Sequence, residues 1–287
     1  MIFNSDELAN ILGVNVSTVK RWADSGKIDC VKTKGGHRKF HIQHLRTLIK
    51  SDSKLSSNIN LSFLIHNDKK LITAIETKNF KKIISYTLKS LISDNIDDFN
   101  SITSSLIIKG FSYSFIFDNI LNPVLIKIGE SWSVGELSIT EEHLATIRLK
   151  NFLSSINKDL KSTISSKNNL NAYCFTFSGD GHDIPLYMAE TIFYQFDNIS
   201  VYNLGASLPI HDFIKSSNIN NPDIIFISIV YIEDKKRFEN DVNVLLNYFK
   251  DKKIKIFFSG FQAKNLNIGI KNINYVKNFK ELENYLA

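Results

Sequence analysis

The segment at residues 178–185 reads Ser178-Gly179-Asp180-Gly181-His182-Asp183-Ile184-Pro185. It follows a mainly apolar and aromatic segment at 171–177 that is typical of a buried parallel strand, and helical apolar spacing resumes at 186–196. Asp180 and His182 are therefore expected on a loop at the carboxyl end of a strand, where open α/β sheets bind their ligands. From such a loop an imidazole can reach a metal while a carboxylate holds its other ring nitrogen. The alternative is a solvated surface histidine beside a glycine turn.

The rest of the C-terminal part repeats the alternation of strand and helix. Segments with strand character lie at 199–204, 223–229, 255–258 and 273–276, and a terminal helix is expected at 280–286. This order predicts a flavodoxin-like α/β domain, a doubly wound parallel sheet, over residues 170–287. Small residues at the strand ends, among them Ser228, Ser259 and Gly260, leave room for a large ligand.

The cysteine content and the hydropathy indicate the cellular compartment in which the protein is expected. Cys30 and Cys174 are the only cysteines, and Cys174 falls in the predicted buried strand. No disulfide framework is indicated, so a reducing, cytoplasmic location is expected. No signal peptide is recognised, and the longest mainly apolar stretch, 224–232, is too short to span a bilayer. We therefore expect no membrane partner.

Positive charge is concentrated near the N-terminus. Residues 1–50 carry +5 of the whole-chain net charge of +6. A basic segment on a nearly neutral body suggests a nucleic-acid-binding module. Within it Ser5 is expected to cap a short helix, Gly13 to make a turn, and a second, polar and basic helix to follow with Val19 and Trp22 facing inward.

Helix, glycine turn and basic helix are the layout of a helix-turn-helix domain, whose second helix enters the major groove of double-stranded DNA. A β-hairpin wing is expected at 28–40. The stretch resembles the winged DNA-binding domain of the MerR family, down to the wing sequence Gly-Gly-His-Arg-Lys-Phe at 35–40. The residues expected to contact bases are Ser17, Thr18, Lys20 and Arg21, and those expected to contact mostly phosphates are Lys34, His37, Arg38 and Lys39. The alternative is a small basic protein-interaction domain.

A helical region separates the two ends of the chain. A polar linker at 51–60 has almost no apolar residues to bury and is expected to act as a hinge. Helical spacing at 61–157 predicts a four-helix bundle, with a kink or break near Pro123.

The last connection of this region carries a candidate site. Trp132 is expected on the loop before the final helix, and the residues at 138–141 read as a capping box. Glu142 and His143 then lie on the first turn of that helix. Taken singly, Trp132 has an ordinary explanation as a core residue and Glu142 as a carboxylate favoured at a helix N-terminus.

Together these elements resemble a known family. Trp132, then nine residues, then Glu142-His143, in a bundle placed before a strand that ends in Asp-x-His, resembles the cobalamin-binding bundle and domain pair of vitamin B12 proteins. The resemblance is strongest to light-responsive MerR-type repressors of the CarH and LitR kind. It covers essentially the whole chain in the same order.

The resemblance implies a repressor gated by 5′-deoxyadenosylcobalamin. It implies that His182 is the lower cobalt ligand and that Asp180 orients it. It implies that the adenosyl group is enclosed by Trp132, Glu142 and His143. The nucleotide tail would lie in a pocket formed by Ser228, Ser259 and Gly260. It also implies self-association to a dimer or tetramer, which would strengthen DNA binding through multivalency. Light would cleave the cobalt–carbon bond, break the oligomer and release DNA.

Three positions depart from the family pattern. Pro185 stands where the motif Asp-x-His-x-x-Gly ends in glycine, and Ser259 replaces the first residue of a Gly-Gly pair. Ser133 replaces a histidine that ligates cobalt after photolysis, and a neutral hydroxyl is a poor ligand beside an imidazole. The light-state ligand is thus open between His143 and water.

Two other classes of function stay open. One is a MerR-type regulator with a degenerate cobalamin domain, which responds to a protein partner or to cobalamin without light. The other is an enzyme, since similar bundle and cobalamin-domain pairs carry methyl groups in methyltransferases. No further domain is left for a substrate or methyl donor once the three modules at 1–50, 61–157 and 170–287 are assigned, so we expect no enzymatic activity.

Overall fold

The protein divides into two compact units. The computed structural model describes residues 2–52, 54–55, 58–66, 68–93, 96–162, 170–217, 221–265 and 273–287. The first unit ends at Asp159 and the second begins at Leu160. The predicted segments at 1–50 and 61–157 both fall in the first unit, and the predicted α/β domain falls in the second.

The N-terminal part is two helices followed by a small sheet and a third helix. Its elements are β1 (Ile2–Phe3), α1 (Ser5–Leu12), α2 (Val16–Asp24), β2 (Val31–Lys32), β3 (Arg38–His41) and α3 (Ile42–Ser51). The antiparallel sheet has the order β1-β3-β2. Gly13, with φ +64°, ends α1 in the left-handed conformation that glycine adopts without strain. The predicted helix, turn, helix and wing are confirmed.

Two local predictions in this part need correction. The cap of α1 is Asn4, because its side chain accepts hydrogen bonds from the N–H groups of Asp6 and Glu7 at 2.9 Å each, while Ser5 is already buried in the first turn. Trp22 is only partly buried, with the Lys27 ammonium 4.8 Å from its ring centroid.

The predicted hinge is wrong for the described residues of the linker. Leu55 is 8% exposed and Ile59 is 7% exposed, so both are core residues. The Asn60 N–H donates to the carbonyl of Ile11 in α1 at 2.8 Å. The linker binds back onto the helix-turn-helix domain, because two apolar side chains in a polar segment suffice to anchor it.

The helical region continues the first unit. Its elements are α4 (Leu61–Leu64), α5 (Lys69–Glu76), α6 (Phe80–Ile92), α7 (Ile96–Ile108), α8 (Tyr113–Ile116), a π-turn (Phe117–Leu121), α9 (Asn122–Ser133) and α10 (Ile139–Lys161). The chain does not break at Pro123. The Asn122 N–H donates to the Phe117 carbonyl across the π-turn, and this wider turn accommodates the proline at the start of α9. The four-helix bundle stays a prediction.

The second unit is a parallel α/β sheet. Its elements are β4 (Leu170–Phe177), α11 (Ile184–Phe193), β5 (Ile199–Leu208), α12 (Ile210–Ser217), β6 (Ile224–Ser228), α13 (Lys235–Phe249), β7 (Lys255–Ser259), β8 (Ile273–Tyr275) and α14 (Phe279–Leu286). The strand order is β5-β4-β6-β7-β8 and each neighbouring pair is parallel. This is the flavodoxin-like order, with β4 and β6 at the point where the direction of winding reverses.

The second strand extends further than its sequence pattern predicts. Gly205, with φ +81°, interrupts the register between β4 and β5 instead of ending the strand. Pairing resumes to Leu208, opposite Phe177. A glycine inside a strand commonly marks such an irregularity.

Within the described residues, no helix has both the length and the apolar character needed to cross a membrane.

Candidate functional site

Asp180 is the centre of the loop that follows β4. It is 2% exposed, and its carboxylate accepts hydrogen bonds from the N–H groups of Val230 at 2.8 Å and Tyr231 at 3.1 Å, which follow β6. The loops after the two strands at the reversal of winding are therefore tied together by one buried side chain. This is the place where open α/β sheets bind ligands.

The predicted pairing of Asp180 with His182 is present. The Asp180 Oδ1 lies 2.7 Å from the His182 Nδ1 and also accepts from the His182 N–H at 3.1 Å. Burial favours the neutral carboxyl, yet hydrogen bonds from the His182 ring and from the Tyr231, Val230 and His182 N–H groups outweigh it and lower the pKa of Asp180 below its ordinary value. The imidazole itself is 56% exposed. A buried carboxylate thus orients an accessible imidazole.

Two further residues, Thr176 and Ser207, fix this loop and were not predicted from the sequence. The Thr176 hydroxyl donates to the Asp180 carbonyl at 2.5 Å. The Ser207 N–H donates to the Thr176 Oγ1 at 2.8 Å, and the Gly179 N–H donates to the Ser207 Oγ at 3.0 Å. Ser207 has φ +56°, a strained conformation for a residue that is not glycine. Positive φ has no signature in an isolated serine, so only the structure reveals this contact.

Gly179 is favoured by its left-handed backbone conformation. It has φ +89°, and a Cβ there would lie 2.5 Å from the Arg237 Nη2 and 2.6 Å from a Glu233 carboxylate oxygen. Arg237 donates from the same nitrogen to the Ser178 carbonyl at 3.1 Å. The first glycine of the motif therefore allows α13 to hold the start of the loop.

Ser228, at the end of β6, has the feature expected of a residue that hydrogen-bonds a ligand. It is fully buried, and its hydroxyl makes no hydrogen bond within the described residues. It lines a small cavity of about 10 Å³ together with Phe177, Asp180 and Phe238. An unsatisfied buried hydroxyl is unfavourable, so its retention beside the Asp180 loop fits a ligand that would bond to it.

Ser259 and Gly260 lie at the end of the next strand. The Ser259 carbonyl accepts from the Ile229 N–H at 2.8 Å. Gly260 has φ +103°, and a Cβ there would lie 2.5 Å from the Ile229 carbonyl oxygen. Glycine is thus needed because the backbone after β7 packs directly on the backbone after β6. The exposed Tyr231 and Phe261 rings stand on these two loops.

The second predicted cluster lies in the first unit, where a tight connection joins α9 to α10. Trp132 is on the last turn of α9 and not on a loop as predicted, because α9 continues to Ser133, and its side chain is 50% exposed. The capping box is confirmed: the Ser138 N–H donates to Glu141 at 2.8 Å. The Glu142 Oε2 lies 3.4 Å from the His143 Nε2 on the first turn of α10.

The environment of this connection is apolar and exposed. Five large apolar side chains that are between 41% and 70% exposed flank the connection: Ile126, Val134, Ile139, Leu144 and Ile147. Ser133 donates to the Glu130 carbonyl at 2.7 Å, so its hydroxyl is engaged by its own helix. The connection therefore presents a tryptophan, a carboxylate and an imidazole on an apolar surface.

The predicted DNA-contacting residues divide between the recognition helix α2 and the wing. Ser17, Lys20 and Arg21 are exposed and Thr18 is partly exposed on α2, and Lys34 and His37 are exposed at the wing turn. Asn15 caps α2 and also accepts from the Ser17 hydroxyl at 2.8 Å. Arg38 and Lys39 are only partly exposed.

Arg38 has a partner of its own. Its Nη2 lies 2.6 Å from the Asp24 Oδ1, a hydrogen bond that lowers the pKa of Asp24 and ties the wing to the end of α2. The predicted contact of Arg38 with a phosphate stays a prediction.

The cysteines are free thiols. Cys30 is partly buried and Cys174 is buried, and burial raises the pKa of the Cys174 thiol. Across the described ranges no three His, Cys, Asp or Glu side chains cluster as a metal site would require. A cobalt ion held by a single histidine needs no such cluster, since a cofactor ring supplies its other ligands.

Comparison with known proteins identifies the class of the N-terminal part. Residues 2–53 match the family described as Helix-turn-helix domain. No curated protein matches the chain.

The remainder is similar in fold to a solved corrinoid protein. The monomethylamine corrinoid protein of Methanosarcina barkeri matches with a TM-score of 0.55 at 13% identity, over 72% of this chain and 97% of its own. The α/β domain alone makes up less than half of this chain, so the similarity extends into the helical region.

Two other structures match with lower scores. A cobalamin-binding protein of Desulfitobacterium hafniense matches at TM-score 0.34 and 17% identity, over 71% of this chain and 96% of its own. The methanol:cobalamin methyltransferase complex of Methanosarcina barkeri matches at 0.36 and 16%, over 71% and 78%.

Proposed function

We propose that the protein is a DNA-binding transcription regulator whose α/β domain binds cobalamin. The observation that carries the proposal is the buried Asp180 carboxylate that orients the exposed His182 imidazole at the reversal point of a parallel sheet. The helix-turn-helix domain at 2–53 and the fold similarity to a corrinoid protein support the two halves of the proposal.

The residues of the α/β domain fit the cofactor chemically. His182 would be the lower cobalt ligand, and Asp180 would fix its ring and keep Nδ1 as the protonated nitrogen. The unbonded hydroxyl of buried Ser228 would hydrogen-bond the nucleotide tail beside Ser259 and Gly260. Because the cavity at Ser228 holds only about 10 Å³, the side chains around it must separate to admit that tail.

The finer proposal concerns 5′-deoxyadenosylcobalamin and light. When bound, this form supplies a cobalt–carbon bond that light cleaves. Trp132, Glu142 and His143, on an exposed apolar surface of the helical region, would enclose its adenosyl group. The Ser133 hydroxyl, already bonded to its own helix, would not replace the family's histidine, which leaves His143 as the protein's own candidate for the upper position.

In this proposal the protein acts as a repressor in the cytoplasm and has no catalytic activity. Ser17, Thr18, Lys20 and Arg21 would read bases while Lys34, His37, Arg38 and Lys39 contact phosphates. Self-association to a dimer or tetramer in the dark would place several basic domains on one operator, and its loss in light would release DNA.

The deciding experiment is an absorption spectrum of the protein loaded with 5′-deoxyadenosylcobalamin in the dark, before and after green light, with sizing of both samples. We expect a bound chromophore whose spectrum and oligomer size change with light. His182→Ala should lose the spectrum of histidine-ligated cobalt, whereas His66→Asn, at an exposed position of the helical region with φ +47°, should keep it.

Each other result selects a different function. Bound cofactor without a light response would indicate a sensor of cobalamin itself. A colourless protein after loading would refute cobalamin binding and leave a helix-turn-helix regulator that responds to a partner, for which the Pro185, Ser259 and Ser133 departures are the motivation.

A further inference from the structure

The helix-turn-helix domain meets the helical region through a buried polar cluster. We call it the joint and define it as His41, Gln43, Arg46, Tyr113 and Asp159. His41 ends the wing strand β3, Gln43 and Arg46 lie on α3, Tyr113 begins α8 and Asp159 lies near the end of α10. The cluster therefore links the base of the wing to two separate elements of the helical region.

Tyr113 is the anchor of the joint. It is 1% exposed, and its hydroxyl accepts a hydrogen bond from the Gln43 amide. The Arg46 guanidinium lies over its ring, 4.8 Å from the centroid, and Arg46 is itself 8% exposed. Within the described residues the Arg46 Nε has no hydrogen-bond partner, and the ring contact is a cation–π interaction.

Asp159 makes the second contact. Its Oδ1 lies 3.1 Å from the His41 Nδ1, at ion-pair distance although the angle is not that of a hydrogen bond. Both side chains are largely buried, at 10% and 15% exposed. Buried polar pairs add little net stability, and in some proteins they help to specify one geometry.

The packing beside the joint is incomplete. A cavity of about 330 Å³ lies between α3, α7 and α10, lined on α3 by Ile42, on α7 by Asn100 and Ser104, and on α10 by Arg148, Phe152 and Ile156. A pocket that is partly open to solvent has fewer close contacts than a packed interface. The joint therefore lies beside a loosely packed part of this interface.

One helix connects the joint to the other end of the helical region. The 23 residues of α10 span about 33 Å, with Glu142 and His143 on its first turn and Asp159 near its last. A displacement of this helix at the connection after Trp132 is therefore transmitted along a rigid element to the residue that contacts the base of the wing.

We propose that Tyr113 and Asp159 are positioning residues for the helix-turn-helix domain: the joint holds this domain in one orientation on the helical region, and α10 couples that orientation to the Trp132, Glu142 and His143 end. The first half stands on the contacts alone. The second half rests on the proposed function, since it assigns that end to the sensing of cobalamin.

The first half is tested by distances between two spin labels in the full chain without DNA or cofactor. Labels are attached at Lys32→Cys in the wing and Lys127→Cys on α9, both exposed, in a Cys30→Ser background. The buried Cys174, with its raised thiol pKa, should not react. We expect a narrow distance distribution that broadens in Asp159→Asn and in Tyr113→Leu, and broadens less in Tyr113→Phe, which keeps the ring under Arg46.

The matched control is Asp97→Asn, the same charge change on the exposed first turn of α7. It should leave the distribution narrow. Affinity for random-sequence duplex DNA, which depends on the domain's own cations, should stay within about twofold in all joint variants and so show that the domain is folded. A broad distribution in the parent, or one that the joint variants do not change, would overturn the proposal.

The coupling is tested with the same labelled protein after loading with 5′-deoxyadenosylcobalamin. We expect the distance between the labels to differ between dark and green-light samples, and the difference to vanish in Asp159→Asn. If the absorption spectrum shows bound, light-responsive cofactor while the distance stays constant, the coupling is wrong and the cobalamin proposal stands. If no cofactor binds, the proposed function fails while the first measurement still decides the joint.

Discussion

At the scale of single residues, Asp180 has two tasks. It orients His182, and it joins the loops after β4 and β6 through the N–H groups of Val230 and Tyr231. Substitution should therefore affect both ligand binding and the integrity of the sheet edge. The effect on stability can be distinguished from the effect on ligand binding because the contribution of Asp180 to stability depends on pH.

Asp180→Asn keeps the shape and removes the charge. We expect cobalamin affinity to fall about 10- to 100-fold, as for other carboxylates that orient ligating histidines, measured by titration of absorbance. The pKa of Asp180 in the folded state is below its ordinary 3.8, so its contribution to stability is present above pH 3.8 and disappears as pH falls through the folded value. The variant should lack that acid dependence. Asp183→Asn, in the same loop, should retain it, and equal affinities for the two variants would contradict the assignment.

Substitution of Ser228 is expected to raise the stability of the protein and to weaken cobalamin binding. Ser228→Ala removes a buried hydroxyl without a partner, so the cofactor-free protein should gain about 1 kcal/mol in free energy of unfolding. The same change should weaken cobalamin binding if the hydroxyl bonds the nucleotide tail. Denaturant unfolding and absorbance titration give the two quantities.

Ser105→Ala is the matched control for Ser228. Ser105 is also fully buried with a hydroxyl that has no partner, but it lies on α7 in the other unit. It should stabilise the protein and leave cobalamin affinity unchanged. An affinity loss in Ser105→Ala equal to that in Ser228→Ala would show that the effect is not local to the tail pocket.

At the scale of elements, the wing and α2 are held as one DNA-binding surface. The turn at the wing tip is set by Gly36, with φ +78°, and by the Gly36 N–H, which donates to the Thr33 carbonyl at 2.8 Å. The pair of Arg38 and Asp24 fixes the wing strand against the end of α2. Exposed cations at the tip are thereby presented in a fixed place relative to the recognition helix.

Lys34→Ala should weaken binding to all duplex sequences alike. Removal of one phosphate contact should reduce the slope of log affinity against log salt by about 0.9, measured by fluorescence anisotropy at several salt concentrations. Lys127→Ala, an exposed cation on α9, should leave the slope unchanged. A slope that does not change in Lys34→Ala would remove the wing tip from the interface.

At the scale of the whole molecule, the basic charge at 1–50 and the candidate site around Asp180 lie in different parts of the chain. The joint brings the wing base, α3 and the end of α10 together within one unit. His44 reports on this packing, because burial and then the neighbouring His41 lower its pKa below 6.5, against the opposing effects of Asp29 and Asp159.

A histidine with a lowered pKa destabilises the folded state in acid. Above pH 6.5 His44 is neutral in both states, and as pH falls below 6.5 the unfolded chain takes up the proton first, so stability falls. The melting temperature of wild-type protein should therefore decrease between about pH 7 and pH 5, and His44→Gln should flatten this part of the profile. His66→Asn should retain the wild-type profile. An unchanged slope in His44→Gln would assign the acid sensitivity to other groups.

Much of the fold and of the site followed from local patterns in the chain. The run of strands and helices at 170–287 predicts the parallel sheet because buried strands and amphipathic helices have distinct periodicities. The positions of Asp180 and His182 follow as well, since a loop after the first strand of such a sheet can only lie at its carboxyl edge. The helix-turn-helix layout was equally predictable from the sequence, because glycine turns and polar caps depend on only a few neighbouring residues.

The tertiary structure decided what depends on residues distant in sequence. The linker at 51–60 looks polar, yet Leu55 and Ile59 are buried, and the Asn60 N–H donates to the Ile11 carbonyl of α1. Trp132 lies on a helix because α9 continues to Ser133. Ser207 and Ser228 are ordinary serines in the sequence. The backbone strain at Ser207 and the missing hydrogen-bond partner of Ser228 arise only when strands and loops that are far apart in the chain pack around these residues. The reason is that burial and backbone conformation are set by the whole fold.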